Sequence, residues 1–530
     1  MEARKLRVCV LGAGVSGLTA LKEVLEEGHS AVCFERENVP GGVFTTGVAY
    51  DPMQLTVSQH YMAYSSFPPP LEEERCHWLR QEYVAYLGRF RQRFGLDQHI
   101  RLNCAVETVN READGSFAVE TTQAGKTVRD RFDAVAICRG AFRAEAARMP
   151  DLPGAETFQG EITHTAKYKG AEPFRGKRVV CVGMGETSAD VTNQISEVAS
   201  ACHLALRNYP LLISRHPYGG RTTSDGYTNR LLGWAPRQNM QEYYGKRVQA
   251  DLVSGDPHRQ LISDWFIKAG FTGKSLQKND DFIANLLQGK IRHVPHGVAR
   301  LEGNTVHFTN GEHVEADVVM CCTGYEESSI PAEWLGGLEV KDVRRLFKHA
   351  FHPDIGPRLA LIGWTRPFNG GVPSCSEMIS RYFALLCSGK RELPARPDLE
   401  ARIEADLAQE EMAFSQTRHV RTLVDFITFL DSVAELVGCV PRLTDYLDDP
   451  PLLYKLICGT SIATSYRLRG PGADPEMARE VILRLPVVRD AVDLALVPLA
   501  LAGHVEESAI PKIHEIVEQQ FVADTQLTRS

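Results

Sequence analysis

Apolar residues in this chain gather into short runs, each followed by a stretch where they return at helical spacing. Leu6-Arg-Val-Cys-Val-Leu11 reads as a buried strand, Leu18 to Glu27 as the helix behind it, and Ala31-Val-Cys-Phe-Glu35 as a second strand. The unit recurs at Lys177-Arg-Val-Val-Cys-Val182, and Ala316-Asp-Val-Val-Met-Cys321 predicts a further strand. Glu72 to Arg93 reads as a charged helical stretch, Ile100 to Val109 as a strand region, and Val420 to Val437 as a helix. Strands alternating with helical patterns predict an α/β chain built from βαβ units. Between Asp493 and His504 the tail turns apolar, but the run is short and broken by Pro498. A buried or partner-facing helix is expected there, not a membrane span.

Two of the strands run into glycine-rich turns 171 residues apart, Gly12-Ala-Gly14-Val-Ser16-Gly17 and Gly183-Met-Gly185-Glu-Thr187-Ser188. Glycines let backbone approach a pyrophosphate, whose charge sits at the following helix N-terminus. Glu35 stands where an acid would take a ribose hydroxyl, and Gly41-Gly42-Val-Phe44 adds a loop that could lie along a flavin. In the second turn Ser188 replaces the third glycine, Glu186 puts a carboxylate near the phosphates, and Asp190 follows. Arg207 stands some 22 residues after Gly185, where an NAD enzyme would carry an acid; a cation suits a 2′-phosphate and favours NADPH. Two dinucleotides on one polypeptide imply electron traffic between a flavin and a nicotinamide, hence an oxidoreductase.

At 530 residues the chain predicts two or three domains. A net charge of -8 with no basic stripe argues against nucleic acid as a partner. The first strand begins by residue 6, which leaves no room for a secretory signal. Thirteen cysteines lie scattered, several inside apolar runs and none as Cys-x-x-Cys, as expected of small buried hydrophobes in a reducing cytoplasm. A dithiol mechanism therefore lacks its redox pair, and no spacing of His, Cys or carboxylates predicts a metal site. A flavin must carry the chemistry.

Further along, Phe158, Gly160, His164 and Tyr168 fit the fingerprint Phe-x-Gly-x-x-x-His-x-x-x-Tyr/Phe, and Cys322-Thr323-Gly324-Tyr325 matches an Ala-Thr-Gly-Tyr element. With Lys278-Asn-Asp280, Leu361-Ile-Gly363 through Pro367, Glu377 with Arg381, and Tyr466 to Gly472, the chain resembles the flavin-containing monooxygenases over about residues 6–480. The resemblance implies two nested Rossmann-like domains, an FAD domain interrupted by a smaller NADPH domain, with a mostly helical C-terminal extension. The expected limits are 1–157 and 317–394 for the FAD domain, 158–171 for a fingerprint linker, 172–316 for the NADPH domain and 395–530 for the extension. Gly12, Gly14, Ser16, Gly17, Glu35, Gly42, Phe44, Thr56 and Met62 are expected on FAD. Gly183, Gly185, Thr187, Ser188, Asp190 and Arg207 are expected on NADPH, with Thr323, Gly324 and Tyr325 as further cofactor contacts. His164 is read as an anchor of the linker, with Phe158 and Tyr168 as packing residues.

The implied activity is O2 activation as a flavin C4a-(hydro)peroxide and transfer of one oxygen to a nucleophilic nitrogen or sulfur of a small molecule. Baeyer–Villiger insertion into a ketone stays open, though Tyr168 stands where those enzymes usually carry Trp, as does a flavin-bound oxidase-like or regulatory protein; homo-oligomerisation is left open. Thr56, Ser58 and Tyr64 are the catalytic candidates. Departures from the family pattern are Thr56 for an asparagine thought to face the flavin C4a region, Gln59-His60 for a basic–acidic pair, Ser66 for aspartate, Arg139 for threonine and Ser374 for a proline in a flavin-facing loop. Residues 216–230 read as a solvated loop, with Arg221 or Arg230 as alternatives that admit a polar or anionic molecule.

Overall fold

The structure, a computed structural model, describes residues 5–70, 76–140, 146–217, 222–270, 276–326, 330–335, 337–415 and 421–527. Two five-stranded parallel sheets organise it. The first has the order Leu359–Leu361, Ala134–Ile137, Arg7–Leu11, Ser30–Phe34, Ile100–Arg101. Its inner strands are covered on both faces, which is why they read as unbroken apolar runs. The second has the order Ile291–Val294, Ala201–Ala205, Arg178–Val182, Val318–Cys321, Glu161–His164. Each sheet carries a three-stranded antiparallel meander at the corresponding point of its chain path: Cys104 to Phe132 in the first, Val298 to Glu315 in the second. The α/β architecture with two nested dinucleotide-type units is thus as expected. Each glycine turn follows the middle strand of its sheet, at the carboxyl edge where such sheets bind ligands.

Two boundaries move. Val318–Cys321, expected to reopen the first domain at 317, pairs in the second sheet with both Arg178–Val182 and Glu161–His164. The first sheet resumes only at Leu359–Leu361. The fingerprint segment is accordingly no free linker, since Glu161–His164 forms the second sheet's edge strand. An apolar strand carries no mark of which sheet it will join. The region from Ile100 to Val109 also divides, because Asn103 adopts a left-handed φ of 52° and sends Cys104–Arg111 into the meander.

The C-terminal region shares the first domain's core. Helix Val372–Cys387 is buried along nearly its whole length between helices Val15–Glu26 and Phe426–Val437. Arg467 ties these parts together, donating to Glu23 at 3.0 Å, Glu377 at 2.9 Å and Ser65 Oγ at 2.7 Å. Buried charges of this kind persist only when paired and hydrogen-bonded. The helix expected from Val420 begins at Phe426, where Asp425 caps it by accepting from Thr428 N–H, and ends on left-handed Gly438; Val420 lies outside the described residues. The charged stretch from Glu72 forms a helix over Arg80–Arg93, with residues 72–75 outside the described residues. The apolar tail folds into the short helix Val497–Leu501 against the core. Among the described residues no helix is long and apolar enough to cross a membrane. All thirteen cysteines are buried free thiols.

Candidate functional site

A cavity of about 880 Å³ begins at the first glycine turn and extends to the N-terminus of helix Glu186–Ser196, behind the second. Its near end is shaped by backbone. Gly12 has φ 93°, and a Cβ there would lie 2.8 Å from Cys138 O. Gly14 and Gly42 meet so closely that a Cβ on Gly42 would sit 3.0 Å from Gly14 Cα. At Gly17 a Cβ would fall 1.7 Å from Gly12 O, so only glycine lets the helix start this close to the strand. Gly14 caps helix Val15–Glu26 without a side chain, leaving first-turn N–H groups for an anion. Glu35 is fixed by accepting from Ala13 N–H at 2.7 Å and Glu37 N–H at 3.0 Å, and its carboxylate keeps lone pairs for a ribose hydroxyl. Gly42, Phe44, Thr56 and Met62 also line the cavity. Ser16 does too, with its hydroxyl 2.9 Å from Ser376 Oγ. A side-chain-free cradle, an open helix N-terminus and a fixed acid fit a dinucleotide of the FAD type.

The second turn is built more loosely. Gly183 has φ 91° and a Cβ would approach Cys322 O to 2.9 Å, whereas a Cβ on Gly185 would meet nothing within 4 Å. Ser188, in the third-glycine place, donates its hydroxyl to Gly183 O at 2.9 Å and so replaces the close backbone approach by a hydrogen bond. Thr187 and Asp190 line the cavity; burial pushes the Asp190 carboxyl up, and Tyr50 OH donates to it at 2.6 Å. Arg207 is exposed just beyond strand Ala201–Ala205, its aliphatic stem over Gly297. Such a turn with a cation past the second strand fits a phosphorylated nicotinamide dinucleotide.

At the far end the two domains touch. Thr56 Oγ donates to Glu186 Oε2 at 3.0 Å, and both line the cavity. Lys278, also on its wall, is 2% exposed and donates to Asp225 Oδ1 at 2.6 Å and Asn369 Oδ1 at 2.8 Å. Burial alone would raise the Asp225 carboxyl, but the Lys278 ammonium holds it below the usual carboxylate range.

Several expected site residues stand elsewhere. Ser58 is buried with its N–H on Asp225 Oδ2 at 2.7 Å, and Tyr64 is buried with its hydroxyl on Val15 O at 2.6 Å. Neither reaches the cavity wall, because the segment after Thr56 turns into the core. Ser374 lies inside helix Val372–Cys387, not in a loop, and donates to Tyr61 O. Of the stretch expected as a solvated loop, the described residues 222–230 are largely internal: Asp225 is fully buried, and Arg230 is paired with Asp431 at 3.1 Å. Arg221, the other alternative, lies outside the described residues. Thr323, Gly324 and Tyr325 follow strand Val318–Cys321 beside the second turn and are not on the cavity wall; Thr323 Oγ donates to Arg148 O, and the Tyr325 ring meets His164 edge-on.

The fingerprint residues support the second sheet. His164 is buried, its Nδ1 accepts from Ala166 N–H at 3.0 Å, and burial lowers its pKa. A Cβ on Gly160 would lie 2.4 Å from Asp317 O and 2.7 Å from the Phe158 ring. Tyr168 packs on Phe174 and Tyr50 and donates to Gln194 Oε1. Asn369 and Asp225 were invisible as site residues, since they meet Lys278 only through long-range packing. Lys278 itself was flagged by its Lys-Asn-Asp context, without a role.

Comparison with known proteins agrees with this geometry. A family model described as flavin-binding monooxygenase-like matches residues 5–491. The chain is 36% identical to a 4-hydroxybenzoate brominase (decarboxylating) of Marinomonas mediterranea over 489 residues, 91% of this chain and 93% of that protein. It is 29% identical to flavin-containing monooxygenase 5 of Cavia porcellus over 500 residues, 88% of this chain and 90% of the relative. An S-allyl-L-cysteine S-oxygenase from Allium sativum shares the fold with a TM-score of 0.60 at 20% identity, covering 91% of this chain and 99% of that one.

Proposed function

The chain belongs to the flavin-binding monooxygenase-like family, oxidoreductases that use FAD and NADPH, and on that premise we propose how this member uses them. FAD is held by the Gly12–Gly17 turn, Glu35, Gly42 and Phe44, and NADPH by the Gly183–Ser188 turn with Arg207 on its 2′-phosphate. Bound there, FAD supplies two-electron exchange with NADPH and the activation of O2. The observation that carries this reading is that one cavity is lined both by the first glycine turn and by Glu186 and Thr187 of the second. Glu35 and the first turn fix its ribose and phosphate end. The opposite end, walled by Thr56, Glu186, Lys278 and Asn369, is left for the chemistry. Lys278 and Asn369 orient what enters there, and the buried Asp225 holds the Lys278 side chain in place.

Per turnover, NADPH, one proton, O2 and an acceptor give NADP+, water and the oxygenated acceptor. We propose a halide as the acceptor, with an electron-rich phenol taking the oxidised halogen in place of a ring proton or carboxyl group. Support comes from the 36% identity to a 4-hydroxybenzoate brominase, against 29% to a flavin-containing monooxygenase, and from Thr56 where the latter group usually carries asparagine. Direct oxygenation of nitrogen or sulfur is the second reading, the one that the resemblance to the flavin-containing monooxygenases implies. The test compares NADPH consumed with product formed by FAD-loaded protein in parallel reactions. One holds bromide with 4-hydroxybenzoate, one a tertiary amine or thioether, one a cyclic ketone. Bromophenol formed in step with NADPH supports the first reading; product only from the amine, thioether or ketone replaces it. Hydrogen peroxide alone in every reaction would sink the monooxygenase-type reading.

A further inference from the structure

We propose that Glu186 is a proton-relay residue at the chemical end of the cavity, exchanging a proton with the reacting oxygen through the Thr56 hydroxyl. The inference rests on the NADPH-, FAD- and O2-using reading above and deepens it. Thr56 Oγ and Glu186 Oε2, 3.0 Å apart, join the first domain's segment to the second turn's helix across the cavity wall. Of the other carboxylates on that wall, Glu35 is held by two backbone N–H groups, Glu37 by Arg36 and Asp190 by Tyr50, while Glu107 stands on the meander strand Cys104–Arg111. Among the described residues Glu186 forms no ion pair, and its one hydrogen bond comes from a neutral hydroxyl. A charge brought into the site beside Thr56 therefore meets a carboxylate that holds no counter-charge of its own.

The surroundings make that response directional. Elements packed on helix Glu186–Ser196 bring Lys278, already paired with Asp225, Asp280 and Asp281 at the head of helix Asp280–Leu287, Lys167, Arg178 (paired with Asp317), Arg292, and the strand histidines His203 and His293; Asp190 lies on the helix itself. In the structure the Glu186 side chain stands in the first turn of its helix and accepts from the Thr56 hydroxyl. A pyrophosphate using that turn's N–H groups sets a like charge beside it and favours the acid. Nucleotide binding thus loads Glu186 with a proton. The turnover stoichiometry takes one proton from solution and ends it on water. A hydroxyl can accept that proton from the acid on one lone pair while donating its own onward, which an amide does not do. Threonine at position 56 completes a relay that asparagine would interrupt, and Glu186 reloads from solvent after each transfer.

Proton uptake on NADP+ binding tests this without turnover. The FAD-loaded protein is titrated at pH 8, where the 2′-phosphate is fully ionised, by calorimetry in two buffers of different ionisation enthalpy. The parent protein should take up a measurable fraction of a proton per NADP+, and Glu186→Gln none while binding NADP+ at least as tightly. Thr56→Val should keep the uptake but lower coupled product formation on the order of 10²-fold, with Thr56→Ser restoring most of it. Equal uptake by Glu186→Gln and the parent overturns the proposal, as does undiminished coupling in Thr56→Val, and either result leaves the cofactor reading standing. A parent protein that holds FAD but neither binds NADP+ nor consumes NADPH would remove that reading and this inference with it.

Discussion

Replacing Gly17 by alanine should release FAD, and the structure sets the scale. The added Cβ would stand 1.7 Å from Gly12 O and 2.9 Å from Gly12 C. Carbon and oxygen rest at roughly 3.3 Å, so turn and helix must separate by about 1.6 Å. Such overpacking costs about 1–3 kcal/mol, and the displaced atoms are the glycine backbone and first-turn N–H groups that would hold the pyrophosphate. At about 1.4 kcal/mol per tenfold, FAD affinity should fall by on the order of 10- to 100-fold. The matched control is Gly185→Ala, whose Cβ meets nothing within 4 Å and whose φ of -146° any residue adopts. Flavin absorbance per chain after purification, FAD titration of the stripped protein and the Tm of both variants are the measurements. If Gly17→Ala binds FAD as tightly as the parent protein, the backbone-approach argument is wrong.

Other residues give equally direct expectations. Arg207→Ala should raise KM for NADPH about tenfold or more, the loss of a charge-assisted hydrogen bond, and leave that for NADH nearly unchanged; steady-state kinetics with both coenzymes decides. Lys278→Met leaves Asp225 buried without its counter-charge and should lower unfolding stability by about 3–5 kcal/mol in urea, with Lys278→Met/Asp225→Asn regaining most of it. Because the Asp225 carboxyl is held below its ordinary value, its contribution is complete above roughly pH 4 and lost as pH falls through the lower, folded value. The acid limb of stability should therefore flatten in Asp225→Asn. Arg467→Met removes the ion-pair partner of Glu377, while Glu23 keeps Lys22 at 2.9 Å, and should cost a similar about 3–5 kcal/mol; lysine should not rescue it, since one ammonium cannot reproduce the guanidinium's several directed contacts.

What the sequence determined by itself is local. An apolar strand, a glycine turn and an amphipathic helix interact within some thirty residues, so both glycine-rich turns, Glu35 and the α/β class could be read directly from Leu6 to Glu35 and again from Lys177. The close approach at Gly17 and its absence at Ser188 are also local, one a steric limit and the other a hydrogen bond to the same type of carbonyl. Sheet membership was decided by tertiary structure: Val318–Cys321 is as apolar as any strand of the first sheet, and only pairing with Glu161–His164 and Arg178–Val182 assigns it to the second. The far end of the cavity is decided the same way. Thr56 and Glu186 are 130 positions apart, Lys278 and Asn369 are 91 apart, and their meeting depends on how two domains pack. Ser58 and Tyr64 show the converse, since a position beside Thr56 in the chain gave no place beside it in the cavity once Asp225 and Val15 drew their polar groups into the core. Periodicity and turn chemistry encode contacts between near neighbours, whereas a site assembled from two domains exists only after long-range burial has fixed their mutual position.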